Sequence, residues 1–406
     1  MRNPFIVLAL VLGVVFGFVF VVDSNRILYS KLSDYLASTF FIDSSTEEIL
    51  KEAYLGAVAK NEKIRVLIVP GHDDEMWGTD FYGVKEANLT VALGEELFRL
   101  FRENSLFEAK ISRTKSGYDP DLARYFEERR PEIQEFIRSH KATMREYIDS
   151  GKIKSRIIVE HATSTQEMIH KLYGINKWAN ENKIDFVIHI HFNDYAGRKK
   201  TKAGKYSGFS IYIPEGQYSN AKGSRAIADP IFERLSQLYP SSNLPKEDIG
   251  IVEDQELIGV GAFNTLDGAG VLIEYDYIYE PILQNKKIRQ HAIADFAFQT
   301  YLGVMDFFTP SFPSATIETK FLPYEWKRDL SRGVKDSIDV LSLQTALIQE
   351  NAYPPSGFSK NDCTLSGDFG PCTERAVAIF QKKRGIKITG RVGPKTRAIL
   401  NDLHGE

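Results

Sequence analysis

An α/β fold with a mixed, mainly parallel sheet flanked by helices is predicted from three short apolar runs, each of which ends in an ionisable residue. Val66 to Val69 is the centre of Lys63-Ile-Arg-Val-Leu-Ile-Val-Pro-Gly-His72. A continuous apolar run of that length is expected of a parallel strand buried on both faces. Asp185-Phe-Val-Ile-His-Ile-His191 ends in histidine, and Gly270-Val-Leu-Ile-Glu274 ends in a carboxylate. If the three strands are parallel, His72, His191 and Glu274 emerge along one edge, where open α/β sheets collect ligands and catalytic groups.

In chain order, Phe5 to Val22 is an uninterrupted apolar run of 18 residues, long enough to span a bilayer. It ends at Phe20-Val-Val-Asp23 without the small residues of a cleavage site, so an uncleaved membrane anchor over 1–24 is expected rather than a signal peptide. A helical segment over 25–62 follows, read as a stalk or as a helix packed on the domain, with Ser45-Thr-Glu-Glu48 as a capping box. After the first strand, Glu86 opens the helical pattern Ala87, Leu89, Val91, Ala92, Leu93, Leu97, Leu100, and Phe107 to Ser112 reads as a second strand. Residues 118–154 are dense in charge and helix formers, and are expected to be a helical insertion, either a solvated excursion or a lid. Helices are expected from Thr165 to Asn182, Ser219 to Leu238 and Ile288 to Phe308, with a strand over Ser207 to Ile213. Residues 63–308 thus form one domain, and the proline-rich stretch opening at Thr309 makes 309–335 a linker.

The chain is 43% hydrophobic and 26% charged, an ordinary globular composition. Its formal charge of −3 argues against nucleic acid as a main partner. The basic loop Arg198 to Lys205, just past the second histidine, is either a solvated turn or a contact for anionic polymer.

Two imidazoles and a carboxylate from separate elements, His72, His191 and Glu86, are the ligand set of a catalytic zinc site with one position open for water. Taken singly each residue has a plainer reading: a strand-end histidine is usually a hydrogen-bonded loop residue, and a glutamate opening a helix complements the dipole. Glu274 is harder to explain away, because ending a buried strand in a carboxylate costs desolvation.

These residues resemble the zinc-dependent N-acetylmuramoyl-L-alanine amidases (amidase type 3 family), which cut bacterial peptidoglycan. The resemblance rests on Pro70-Gly71-His72, Glu86-Ala-Asn88-Leu89, Ser112-Arg113-Thr114, Ile190-His191-Phe192-Asn193 and Val271-Leu272-Ile273-Glu274, in that order, within about residues 63 to 305. It implies a phosphorylase/hydrolase-like fold, a Zn2+ ion on His72, Glu86 and His191, and Glu274 as general base and acid. Asn88 and Asn193 are candidates to support the ligands from behind, and His189, on the same strand face as His191, is a supporting donor, a packing residue or a competing ligand. The chain departs from the family pattern in Asp73, Asp74 and Glu75, which predict an acidic mouth, in His189 where serine is common, and in the bulky Tyr275-Asp276-Tyr277.

Past the linker, Leu343-Gln344, Phe369-Gly370-Pro-Cys-Thr373, Ala376-Val-Ala-Ile-Phe380-Gln381 and Val392-Gly-Pro-Lys-Thr396 resemble the small all-α, three-helix peptidoglycan-binding domain, over 336–406. Cys363 and Cys372, nine positions apart in that module, are expected to pair in an oxidising compartment. The resemblances together imply a cell-wall hydrolase on the extracytoplasmic face of the bacterial membrane, with peptidoglycan as partner; if the insertion is a lid, an activator protein acting on it is a further candidate partner. Two alternatives stay open: a zinc peptidase cutting within the stem peptide, and a non-catalytic wall-binding protein on a degenerate fold.

Overall fold

A computed structural model describes residues 42–156, 164–195, 197–310 and 317–405. The apolar run Phe5 to Val22 lies outside the described residues, and among those described no helix is long and apolar enough to cross a membrane. Six strands make the central sheet: β1 (Ile64–Pro70), β2 (Phe107–Ile111), β3 (Phe186–Asn193), β4 (Ser210–Pro214), β5 (Ile251–Asp254) and β6 (Ala269–Tyr277), in the order β2-β1-β3-β6-β4-β5. β2, β1, β3 and β6 are parallel, and β4 runs antiparallel to β6, so the sheet is mixed as expected. The edge strand β5 carries only four residues, too few for a period to stand out in the sequence.

Alternation along the strands divides the core. Ile64, Val66, Ile68, Phe186, Ile188, Ile190, Val271 and Ile273 face one side, which is covered by α2 (Glu86–Glu103), α6 (Ala221–Leu238) and α7 (Lys286–Phe308). Leu67, Val69 and Val187 face the other, against Leu122 and Phe126 of α3 (Pro120–Glu128) and Tyr173 and Trp178 of α5 (Gln166–Glu181). His189, His191, Leu272 and Glu274 fall on this second face by the same alternation. The helical insertion, α3 and α4 (Arg130–Asp149), therefore helps to cover the face that carries the candidate site.

Two expectations are corrected. The stalk gives way to the other reading of 25–62, a helix packed on the domain, from residue 42 on: α1 (Glu47–Lys60) buries Leu50 and Ala57, and Tyr54 stacks on Phe308 at 5.5 Å. Its cap is Thr46, one residue later than the capping box predicts, because Ser44 and Ser45 are tied by their amides to the Ser219 carbonyl. The stretch read as a linker is packed from Ile317 on: Phe321 joins the main core, and Trp326 is buried in the C-terminal unit with its indole N–H on the Asp339 carbonyl at 2.8 Å.

That unit is three helices, α8 (Ile338–Gln349), α9 (Pro371–Lys383) and α10 (Pro394–His404), around Leu343, Leu347, Phe369, Val377, Phe380 and Leu400. Gly370-Pro371 and Gly393-Pro394 start the last two, with proline at the first turn where its missing N–H costs nothing. Its two motif glutamines staple loops: Gln344 Oε1 accepts from Ser366 N and Gly367 N, and Gln381 Oε1 from Thr389 N and Gly390 N. Cys363 and Cys372 are joined.

The loop between α8 and α9 docks the unit onto the catalytic domain. Lys360 Nζ donates to the Ser236 and Gln237 carbonyls near the end of α6, Asn361 Nδ2 to the Ser207 and Ser241 carbonyls, and Thr364 Oγ1 to Glu280 Oε2. Beside this contact, burial pushes the Asp276 carboxyl up to about 7, and burial with the Asp276 charge pushes Glu280 well above the carboxylate range. Between an unfolded value near 3.8 and a folded value near 7, the folded chain holds a proton on Asp276 that the unfolded chain has released. Stability is therefore expected to fall as pH rises through that window and to level off above it. Asp276→Asn, which keeps an acceptor for Gly208 N and Tyr277 N, is expected to be more stable than the parent at pH 7.5 and equal to it near pH 4. Thermal unfolding at both pH values checks this; a parallel shift at both would refute it.

Candidate active site

The site begins where β1 runs out. Gly71 N still pairs with the Ile190 carbonyl, and His72 then turns with φ +63°, a region an L-residue seldom takes without a reason. A Cβ on Gly71 would collide with the His191 ring, and one on Gly78, itself at φ +72°, with Glu86 Oε2 and His72. These two glycines clear the space in which the three side chains meet.

His72 Nε2 and His191 Nδ1 each lie 3.1 Å from Glu86 Oε1, and their rings stand edge to face at 5.0 Å. One ligand atom from each of the three lies within 4.8 Å of the others. Glu86 is 4% exposed and opens α2, and its oxygens are held from behind by Phe192 N on Oε1 at 3.1 Å and Thr79 N on Oε2 at 3.0 Å. Burial opposes its charge, but the two imidazoles override this and hold it far below the carboxylate range. For His72 burial disfavours the charged form, and the Glu86 carboxylate more than offsets it, so its pKa is raised; for His191 burial prevails and lowers it. Two nitrogen donors and one oxygen donor, convergent and in a cradle free of Cβ atoms, fit a zinc ion with a position left open.

Glu274 sits on β6 opposite His191 of β3 and Ser210 of β4. Its Oε2 is buried with no hydrogen-bond partner among the described residues. Burial, and then the charges of Glu86 and Glu247, push its carboxyl well above the usual range. A buried carboxyl with an unused oxygen, one strand from a metal-ligand set, is suited to holding and passing a proton.

Of the supporting residues expected from the sequence, Asn88 is exposed on α2 and its place behind the ligands is corrected: one helical residue past Ala87, it faces solvent. Asn193 is buried and donates to Glu247 at 3.0 and 3.2 Å instead of to a ligand. His189 is 1% exposed, its Nε2 has no partner among the described residues, and burial pushes its pKa down to about 3. It packs at the floor of the cleft against Gly259.

The acidic mouth is also corrected in part. Asp73 is buried, braces its own turn by accepting from Glu75 N and Met76 N, and pairs with Lys171 at 3.1 Å, which leaves Asp74 and Glu75 exposed. In the basic loop, Arg198 is pinned to Asp194 and the Asp80 carbonyl, whereas Lys200 lines the cleft. That cleft, of 810 Å³, is lined by His72, Glu86 and His191 and also by Trp77, Lys200, Tyr118, Met168 and Leu172. α4, a candidate lid, contributes no residue to its lining.

Arg113 is the functional residue that the sequence motif contained but gave no role. Buried, it donates to the carbonyls of Pro70 at 3.3 Å, Gly71 at 3.0 Å and Ala87 at 2.9 Å, tying the His72 turn to the start of the Glu86 helix. Arg113→Met is expected to weaken metal binding by about 10- to 100-fold, the usual cost of losing an outer support. Competition with a coloured chelator would measure it, and an unchanged affinity would remove Arg113 from this role.

A parallel-edge site with a His-Glu-His set and a free buried carboxyl defines a hydrolase site able to hold one divalent ion. The sequence profile of the N-acetylmuramoyl-L-alanine amidase family matches residues 66–295, over half of the chain, and the chain belongs to that family of peptidoglycan hydrolases. A peptidoglycan-binding domain profile matches residues 336–400. Solved structures with some likeness include the N-acetylmuramoyl-L-alanine amidase AmiC2 of Nostoc punctiforme (13% identity, 60% of this chain and 96% of that one, TM-score 0.35). Another is the amidase of Clostridium difficile 630 (17% identity, 60% and 96%, TM-score 0.34). A third is Ami1 of Mycobacterium smegmatis (13% identity, 62% and 100%, TM-score 0.39). No curated protein matches the chain. The assignment rests on the family match.

Proposed function

We propose that this chain hydrolyses the amide between the lactyl carbonyl of N-acetylmuramic acid and the L-alanine of the stem peptide, using a zinc ion held by His72, Glu86 and His191. The observation that carries this reading is the convergence of those three ligand atoms within 4.8 Å beside a carboxyl, Glu274, that has an oxygen to spare. An ion held by His72, Glu86 and His191 would supply a water of lowered pKa and a Lewis acid for the scissile carbonyl. Glu274 takes the proton of the attacking water and returns it to the leaving amine of L-alanine. Its raised proton affinity suits the second half of that cycle. Glu86 does no proton chemistry: both oxygens are committed to backbone amides and imidazoles. Arg113 keeps His72 and Glu86 in register.

The helical C-terminal unit would keep the enzyme on its substrate. An extracytoplasmic location, with Phe5 to Val22 as the anchor, follows from where peptidoglycan lies and agrees with a paired Cys363 and Cys372. Mass spectrometry of digested wall tests the reaction: intact stem peptides beginning with L-alanine are expected, and shortened stems would replace this reading with a peptidase.

A further inference from the structure

Among the described residues, Trp77 is the one large exposed apolar side chain that also lines the cleft. Trp77 is 40% exposed, and tryptophan, an apolar body with a polar N–H, is a side chain enriched where one molecule packs on another. The position is built. The Trp77 carbonyl accepts from Ala87 N at 3.1 Å, and the next residue, Gly78, lies against Glu86 and His72. The ring is therefore anchored one residue from the ligand set. Lys85 Nζ stands 4.3 Å from the ring centre, on one face of the indole. Lys200 also lines the cleft and brings a cation to the same rim.

We infer that Trp77 is the platform on which the pyranose ring of the N-acetylmuramic acid residue packs while its lactyl amide is cut. This rests on the amidase reading above and adds the sugar to it. A pyranose presents axial C–H groups on one face, and these pack on the electron-rich face of an indole. In the substrate only a lactyl ether separates the sugar ring from the scissile carbonyl, so the sugar must lie immediately beside the ligand set. Trp77, whose neighbour Gly78 lies against Glu86 and His72, is the exposed aromatic side chain in that lining. Met168, Ile169, Leu172 and Ile258, which line the same cleft, are aliphatic side chains and are left to the peptide. Trp77 acts here as a specificity-determining residue: it holds the sugar and takes no part in proton transfer.

The full-length chain has three tryptophans, and the other two, Trp178 and Trp326, are buried. Titration with peptide-free glycan strands of alternating N-acetylglucosamine and N-acetylmuramic acid is expected to shift the tryptophan emission of the parent. Trp77→Phe should lose most of that shift while still binding insoluble wall through its C-terminal unit. An equal shift in Trp77→Phe would overturn the proposal. In kinetics, two substrates with the same scissile amide are compared, an N-acetylmuramoyl peptide and the corresponding D-lactoyl peptide without the sugar. Trp77→Ala is expected to raise the KM of the first relative to the second by about five- to tenfold, the worth of one aromatic contact, with Trp77→Phe in between. An equal rise for both substrates would reduce Trp77 to a structural residue. If the parent cleaves neither substrate at the lactyl amide, the amidase reading fails, and the fluorescence titration still decides whether Trp77 meets the sugar.

Discussion

Glu274→Gln is expected to lower kcat by about 10²- to 10⁴-fold, the range that a positioned general acid–base group contributes. Glutamine keeps the shape of the side chain and an acceptor but can neither take nor return a proton. KM and bound zinc should change little, since Glu274 touches none of the backbone amides that hold Glu86, which come from Thr79 and Phe192. Removing the charge should also relieve the repulsion among Glu274, Glu86 and Glu247, so the variant is expected to unfold at a slightly higher temperature than the parent. Steady-state kinetics, metal content and thermal unfolding on the same preparation separate these effects. Full activity in the variant would remove Glu274 from the reaction.

Glu86→Ala should cost more than activity. One carboxylate oxygen is shared by both imidazoles and by Phe192 N, and the other accepts from Thr79 N, so truncation removes a ligand and strands two backbone donors. Each stranded buried donor costs on the order of 1–3 kcal/mol. Zinc affinity is expected to drop by more than about 100-fold, beyond the range seen for outer supports, with hydrolysis falling to background. Chelation of the parent should also abolish hydrolysis, and added zinc should restore the parent but not the variant. Retention of stoichiometric zinc by the variant would show that the ion sits elsewhere.

The sheet, the meeting of His72, Glu86 and His191, and the place of Glu274 opposite His191 were legible because each follows from local rules. Strand-length apolar runs mark buried parallel strands, and what ends such a run lies at the edge of the sheet. Side chains that reach across long separations left no such mark. Arg113 binds carbonyls 43, 42 and 26 positions away, and nothing in its own neighbourhood names those partners. Asp73 reads as surface charge until Lys171, 98 residues on, is placed beside it. Trp326 lies in a proline-bearing stretch whose composition resembles a linker, and its burial depends on the helices that follow. Trp77 gave no periodic signal either, because it belongs to a loop shaped by Gly78 and the ligands behind it.

The contact made by Lys360, Asn361 and Thr364 changes what an appended wall-binding unit can do. A unit on a slack tether raises the local concentration of substrate in every direction within its reach. Seated on the end of α6 and on Glu280, with Leu341 and Leu365 in the hydrolase core, this one has no such freedom. A glycan chain gripped by it would meet the cleft at one offset and one heading, so that cuts would fall at a set spacing from the point of grip, as along a ruler.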